Sequence, residues 1–314
     1  MSSYRALAPA KVNLGLFLGP ARESDGRHEL VGVMQSISLA DELTLEPGQG
    51  GAADDELICP GVPGDPAENL AARALSAFRA STGWDAPPMR LRIVKRIPVA
   101  AGLAGGSADA AAALRLASRA SGLGDEELLR ELAARLGADV PAQVRPGRWL
   151  ASGAGERLQE LPPPSGSLGL LVLALDGELS TAAVYAEADR LGLARQPEEL
   201  RERLYTLRGA MASGEPLPAN RELLANDLQP AAISLCPQIA SAIDQALGAG
   251  AALALVSGSG PTVVGLFKGD GEGAAGGVEL AQRAAAHLWG RSPAPLVARP
   301  VDAAFGQAVE GEQD

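Results

Sequence analysis

Hydrophobic and polar positions alternate residue by residue near the start of the chain. In YRALAPAKVNLGLFLG, Val12, Leu14, Leu16 and Leu18 fall on one face of a strand, and Lys11, Asn13, Gly15 and Phe17 on the other. ARESDGRHEL reads as a turn and LVGVMQSISLADELTLEP as two short strands. ENLAARALSAF predicts a helix over residues 68–81. MRLRIVKRIP sets Met89, Leu91 and Ile93 against Arg90, Arg92 and Val94 and ends at Pro98. The glycine-rich run IPVAAGLAGGSADAAAALRLAS then leads into an alanine-rich helix, with Ser107 in the capping position. DEELLRELAARLG is a second helix closed by Gly137, and GRWLASGAGERLQEL a hairpin-like strand pair.

LPPPSGS is the strongest boundary signal and divides the chain into residues 1–160 and 161–314. Beyond it come a strand LGLLVLAL, helices, a strand pair ALALVSGSGPTVVGLF, a helix GGVELAQRAAAHLWG and a last strand near PLVARPV. AVEGEQD reads as a frayed acidic tail. Strands and helices mix without regular βα alternation, which predicts an α+β fold of two domains.

Composition narrows the function. The 314 residues are 46% hydrophobic but only 3% aromatic, so the interior must be built from Ala, Leu and Val. A net charge of −11 argues against nonspecific binding to nucleic acid or to an anionic membrane. Only Lys11, Lys95 and Lys268 among the 27 basic residues are lysine; a compact ammonium is what arginine cannot imitate at a reaction centre. Two distant cysteines, no leader pattern and no membrane-length apolar run fit a soluble protein of the reducing cytoplasm.

The glycine-rich run is neither a Walker A loop, since no lysine follows Gly106-Ser107, nor a dinucleotide fingerprint. A helix start behind Gly105 and Gly106 still offers unpaired N–H groups to an anion. An ordinary capped helix explains the letters equally well. Asp109, in the first turns, would repel phosphate and calls for a divalent cation between them. Lys11 and Asn13 are either an exposed strand face or two groups aimed into a cleft. Asp139, before Val140-Pro141, is either a helix cap or a carboxylate held to accept a proton. His28 follows a turn; His287 sits in an amphipathic helix. VSGSGPT is a second small-residue loop, and GEGAAG at Gly271, Gly273 and Gly276 reads as surface loop.

The set PAKVNLGLFLG, DGRHEL, IPVAAGLAGGSADAA, LGADVPAQV, GAGERL, NDLQP and VSGSGPT resembles, in order and spacing, the GHMP kinases (galactokinase, homoserine kinase, mevalonate kinase and phosphomevalonate kinase types). The resemblance covers residues 4–300. It implies an active site between two domains, ATP and Mg²⁺ as cofactors, and a small-molecule substrate. The motif set is most similar to the member of the non-mevalonate isoprenoid route. That implies phosphorylation of the 2-hydroxyl of 4-diphosphocytidyl-2-C-methyl-D-erythritol by a monomer or weak homodimer.

By the same resemblance, Asp139 is the general base and Lys11 its neighbour. Pro98, Ala101, Gly102, Leu103, Ala104, Gly105, Gly106, Ser107 and Ala108 form the ATP-phosphate loop, with Ser107 on the metal side. Asn69 and Lys95 contact the nucleotide; Asn13, Arg27, His28 and Thr181 lie toward the substrate, with His28 at the cytosine. Three positions depart from the family. Arg27 stands where a tyrosine is usual, which leaves another small-alcohol kinase, or a non-catalytic nucleotide-binding protein, as alternatives. Ala104 replaces a glycine, unstrained only at negative φ, and Ala108 replaces a serine.

Overall fold

The structure, a computed structural model, describes residues 2–48, 54–177, 179–215, 217–218, 220–269 and 275–311. Among them the strands form two sheets. The first contains β1 (Tyr4–Ala21), β2 (His28–Pro47), β3 (Glu56–Ile58), β4 (Met89–Val94), β5 (Arg148–Ser152) and β6 (Arg157–Leu161). The second contains β7 (Leu168–Leu173), β8 (Leu253–Val256), β9 (Val263–Lys268) and β10 (Leu296–Ala298), all antiparallel. A final strand, β11 (Val309–Glu310), returns to the first sheet and pairs with Tyr4 and Arg5 of β1. The stretch expected to be a frayed tail therefore includes an edge strand.

β2 is one strand rather than the expected two. Its far edge serves two partners in turn: Gly32–Gln35 pair with β5, and Glu42–Pro47 with β4. Between them Ile37, Ser38 and Leu39 bulge opposite the single residue Ala10, and Ser38 N–H bonds Arg299 O at 2.8 Å. That bulge is what reads as a break in the sequence. A bulge in β1 at Leu14 has a similar effect. It reverses the facing, so that Phe17 joins Val12 and Leu14 in one core while Leu16 and Leu18 enter another.

Nine α-helices lie against the sheets among the described residues: α1 (Leu70–Thr82), α2 (Gly105–Ser121), α3 (Glu126–Leu136), α4 (Val140–Val144), α5 (Thr181–Leu191), α6 (Pro197–Met211), α7 (Gln229–Leu235), α8 (Gln238–Gly248) and α9 (Ala275–His287). No described helix is long and apolar enough to cross a membrane. α1, α2 and α3 pack with Leu43, Leu45, Met89, Leu91 and Ile93 in one core. A second core joins the sheets, with Val12, Leu14 and Val33 meeting Leu170, Val172 and Leu266. α5, α7, α8 and α9 cover the outer face of the second sheet. Gly271 and Gly273 of GEGAAG lie outside the described residues, and Gly276 belongs to α9.

Within α2, Ala108 and Ala110 to Ala113 are all buried. Methyl-sized side chains let the helix axis approach both the sheet and its neighbours closely. The helix N-terminus is thereby carried to the junction between the two sheets.

Candidate active site

A cleft of about 1240 Å³ opens at that junction, lined from both halves of the chain. β1 delivers Lys11 and Asn13 to one face, two residues apart. Lys11 Nζ donates to Asn13 Oδ1 at 2.8 Å and lies 3.4 Å from Asp139 Oδ2. The lysine is 7% exposed, so its charge acts where water is scarce. Asp139 precedes α4, but its side chain makes no capping hydrogen bond. The ordinary cap reading is thus set aside: the carboxylate faces Lys11 and lines the cleft.

α4 is fixed from below. Gln143 Nε2 donates to Pro9 O at 3.0 Å, and its Oε1 accepts from Ser36 Oγ at 3.2 Å. The half-buried Arg115 donates to Leu7 O at 2.8 Å, Gly306 O at 2.9 Å and Gln143 O. The strand that carries Lys11 and the helix that follows Asp139 are therefore joined by one network of buried and half-buried hydrogen bonds.

The glycine-rich run forms the opposite wall, with Pro98 through Ser107 lining the cleft. Ala101 and Leu103 are also anchored in the core between the sheets. Lys11 N–H bonds Leu103 O at 3.1 Å, tying β1 to this loop. The helix starts at Gly105 rather than behind Ser107, and Ala104 is its cap. Ala104 has φ 55°, in the left-handed region and not at the negative value that would leave it unstrained. The first helical bond runs from Ala108 N–H to Ala104 O, leaving the N–H groups of Gly105, Gly106 and Ser107 outside the ladder. Ser107 sits in the first turn. Ala108 is fully buried in the core among α1–α3 and does not line the cleft; its methyl is a packing group, not a lost phosphate contact.

Asp109 has a protein partner. Its carboxylate lies 2.7 Å from Lys95 Nζ, which also bonds the fully buried Asp41. Asp41 in turn accepts from Arg96 N–H at 2.5 Å and Ile97 N–H at 2.8 Å. The cation that Asp109 calls for is therefore Lys95. Burial pushes the Asp109 carboxyl up to about 7; Lys95 opposes the rise and Asp41 adds to it. Lys95 still lines the cleft, and so does Asn69, whose Oδ1 caps α1 through Ala71 N–H at 2.9 Å.

The remaining wall comes from the turn before β2 and from α5. Arg27 Nη2 donates to Ala154 O at 2.7 Å. His28 Nδ1 donates to Gly19 O at 2.8 Å, and its Nε2 lies 3.2 Å from Asp189 Oδ1. The Tyr185 ring is 5.4 Å from the His28 ring, tilted by 44°. Burial, then the Asp139 carboxylate, raise the Tyr185 phenol above its usual value, which keeps it neutral. Thr181 Oγ1 and Ser259 Oγ are 2.9 Å apart, joining α5 to the VSGSGPT turn. The same turn is held by Asn226 of NDLQP, which donates to Val256 O at 2.9 Å and Gly258 O at 2.7 Å.

Comparison with known proteins fits this geometry. The family models "GHMP kinases N terminal domain" and "GHMP kinases C terminal" match residues 69–147 and 198–285. The 4-diphosphocytidyl-2-C-methyl-D-erythritol kinase of Streptomyces avermitilis is 44% identical over 87% of this chain and 90% of its own. The enzyme of the same name from Anaeromyxobacter dehalogenans is 40% identical over 94% of this chain and 90% of its own.

The chain belongs to the GHMP kinases. A crystal structure of a 4-(cytidine 5'-diphospho)-2C-methyl-D-erythritol kinase superposes with TM-score 0.68 at 32% identity, covering 98% of this chain and 100% of the other. A homoserine kinase from Cytophaga hutchinsonii reaches TM-score 0.73 at 16% identity over 98% of each, a likeness of fold alone. The α+β fold expected from the element order is thus the GHMP kinase fold.

For this GHMP kinase the structure gathers every expected site residue except Ala108 around one cleft. Sequence reasoning missed Tyr185, Asp189 and the Asp41 partner of Lys95. Tyr185 and Asp189 carried a readable signal, since they follow Thr181 at successive four-residue steps and so share its helix face. Asp41 carried none, because only the sheet register brings it under Lys95.

The glycine-rich wall suits a nucleotide triphosphate. Gly105, Gly106 and Ser107, whose N–H groups stand outside the helix ladder, line the cleft, and no side chain bulkier than a methyl stands between Ala104 and Gly106. Ser107 is the hydroxyl in the first turn of α2, and Ser180, Thr181 and Ser259 also line the cleft. Among the described residues no three His, Cys, Asp or Glu side chains cluster to hold a metal, so a magnesium ion here would rest mainly on phosphate oxygens and water.

Proposed function

We propose that this protein phosphorylates the 2-hydroxyl of 4-diphosphocytidyl-2-C-methyl-D-erythritol at the expense of ATP, a step of non-mevalonate isoprenoid precursor synthesis. The observation that carries the reading is the Lys11–Asp139 pair at 3.4 Å, facing a helix start across one cleft. The shared name of relatives at 40–44% identity supports the choice of alcohol.

Asp139 accepts the proton of the acceptor hydroxyl as that oxygen attacks. Lys11, beside the carboxylate, offsets charge developing on the oxygen. Asn13 holds the ammonium in place. The N–H groups of Gly105, Gly106 and Ser107 bind phosphate oxygens, helped by the positive end of the α2 dipole. Bound ATP would supply the phosphoryl group, and a magnesium ion held there would supply charge neutralisation. Ser107 is the protein's contribution to that metal, and Asn69 and Lys95 flank the nucleotide. His28, Thr181 and Arg27 hold the cytidyl substrate, with Tyr185 as the flat apolar surface for its base.

The substrate and nucleotide are thus held between two domains that divide near Leu161, where the first sheet's β6 ends. The enzyme works in the cytoplasm as a monomer or weak homodimer.

A coupled ADP-release assay across candidate alcohols tests the proposal. Turnover with the cytidyl substrate is expected. Turnover with homoserine or mevalonate but not with it would favour a different small-alcohol kinase, the reading that Arg27 in place of tyrosine keeps in view.

A further inference from the structure

We infer that Asn226 is a positioning residue for the transfer step: through the turn between β8 and β9 it sets the place of Asn13 and Lys11, an inference that rests on the phosphoryl transfer proposed above. The Asn226 side chain is buried, and both its N–H groups and its oxygen are used. Nδ2 donates to Val256 O at 2.9 Å and to Gly258 O at 2.7 Å, and Oδ1 accepts from Leu228 N–H at 2.9 Å. The two carbonyls it holds belong to the residues on either side of Ser257.

The backbone around Asn226 is tied to β1. Leu16 N–H bonds Ala225 O at 2.8 Å and Asp227 N–H bonds Leu16 O at 2.9 Å, a parallel bridge that sets Asn226 beside Leu16. Asp227 secures the bridge, since its carboxylate accepts from Leu18 N–H at 3.0 Å and from Arg195 Nε and Nη2 at 2.6 and 2.8 Å. From the turn, contacts return to the same strand. Ser257 Oγ accepts from Asn13 N–H at 3.4 Å. Gly258, at φ 61°, passes so close that a Cβ there would stand 3.4 Å from Asn13 Oδ1 and 3.9 Å from Lys11 Nζ. Asn13 Oδ1 is the acceptor for the Lys11 ammonium. A closed circuit thus leaves β1 at Leu16 and rejoins it at Asn13, with the Asn226 side chain as its span from strand to turn.

The circuit has work to do because β1 is bulged at Leu14, between those two points. A bulge interrupts the ladder and re-aims the side chains beside it. Pairing with β2 alone therefore does not set the direction of Asn13 and Lys11; the turn behind them completes it. Without the carboxamide, the carbonyls of Val256 and Gly258 lose their shared donor, the turn relaxes, and the ammonium loses its backing. Misplacement of a reacting group by about 1 Å costs roughly a hundredfold in rate, and a fraction of that shift is expected here.

The test is a double-mutant cycle of Asn226→Ala with Asn13→Ala, reading kcat at saturating ATP and 4-diphosphocytidyl-2-C-methyl-D-erythritol, with melting curves for each variant. Asn226→Ala is expected to lower kcat roughly tenfold in the wild-type background and to add little in the Asn13→Ala background, where the group it positions has already been released. A purely structural role would reduce the folded fraction and so lower both backgrounds by the same factor. That equal factor, or a wild-type kcat in Asn226→Ala, overturns the inference. If Asn226→Ala is unfolded at the assay temperature, Ser257→Ala, which removes one oxygen from the same circuit, takes its place and is held to the same outcomes. The cycle runs on whichever alcohol the wild type phosphorylates, so a different substrate overturns the choice of alcohol and leaves this test standing. A wild type that phosphorylates no alcohol overturns the transfer reading and this inference together.

Discussion

The Asp139 carboxylate lies 3.4 Å from the Lys11 ammonium, and the two side chains arrive from different elements, the turn before α4 and the middle of β1. Asp139 is 39% exposed and makes no cap for α4, so its removal touches little else. Asp139→Ala is expected to lower kcat by roughly 10²–10⁴, the usual contribution of a general base, with ATP affinity retained. Steady-state turnover together with ATP titration by calorimetry checks this. Near-normal turnover would remove Asp139 from the chemistry.

Gly102 meets Gly260 across the cleft wall. It has φ 73°, and a Cβ there would stand 2.5 Å from Gly260 O. Gly102→Ala therefore forces the glycine-rich loop away from the VSGSGPT turn. The variant should lose about 1–3 kcal/mol of stability and show a raised KM for ATP, read by urea denaturation and nucleotide titration. A variant with wild-type stability would mean the two loops do not press on each other in solution.

Ala104 presents the opposite case. Its left-handed backbone costs a non-glycine residue about 1–2 kcal/mol, and the greater unfolded-state freedom of a glycine would cancel part of that gain. Ala104→Gly should raise stability by up to about 1 kcal/mol and leave kcat in place, measured by thermal unfolding and activity. A fall in melting temperature would contradict the strain.

Asp109 makes stability depend on pH. Burial raises its carboxyl from the ordinary 3.8 to about 7, so the folded protein holds this proton more tightly than the unfolded chain. The stabilisation is complete below the unfolded value and declines as pH rises through the folded one. Asp109→Asn cannot lose the proton. Relative to wild type, the variant should therefore gain stability as pH rises from about 4 to about 7, in urea titrations across that window. A flat difference would exclude the raised value.

The legible part of the site was the part written in short, ordered motifs. Lys11, Asp139 and the glycine-rich run could be named because their motifs, taken together and in order, resemble the GHMP kinases; alone, each also fitted an exposed strand face, a helix cap or a plain turn. The facing of Phe17, the unity of β2 and the start of α2 could not. The first two follow from bulges, which appear only when a strand is registered against its partner. The third follows from Ala104, an alanine adopting the backbone of a glycine. The same limit applies to Asp109: its neighbours in sequence suggested a metal, whereas sheet pairing had brought Lys95 and Asp41 against it. Arg115 and Gln143, which brace the Asp139 turn, look like ordinary polar residues until their hydrogen bonds to the backbone of β1 are seen.

The alanine helix α2 also behaves as a lever. Its 17 residues span about 25 Å, with the cleft-lining end at one extreme and most of the tightly packed methyls along its length. A tilt of about 3° pivoting at Ser121 would move Gly105 by about 1 Å over that span. Displacements of that size cost reacting groups about a hundredfold in rate. Adding a single carbon at Ala110 or Ala113, far from any bound ligand, would thus be felt as a slower chemical step. The tolerance of this enzyme to change is set by volume along a helix that lines the cleft only at its tip.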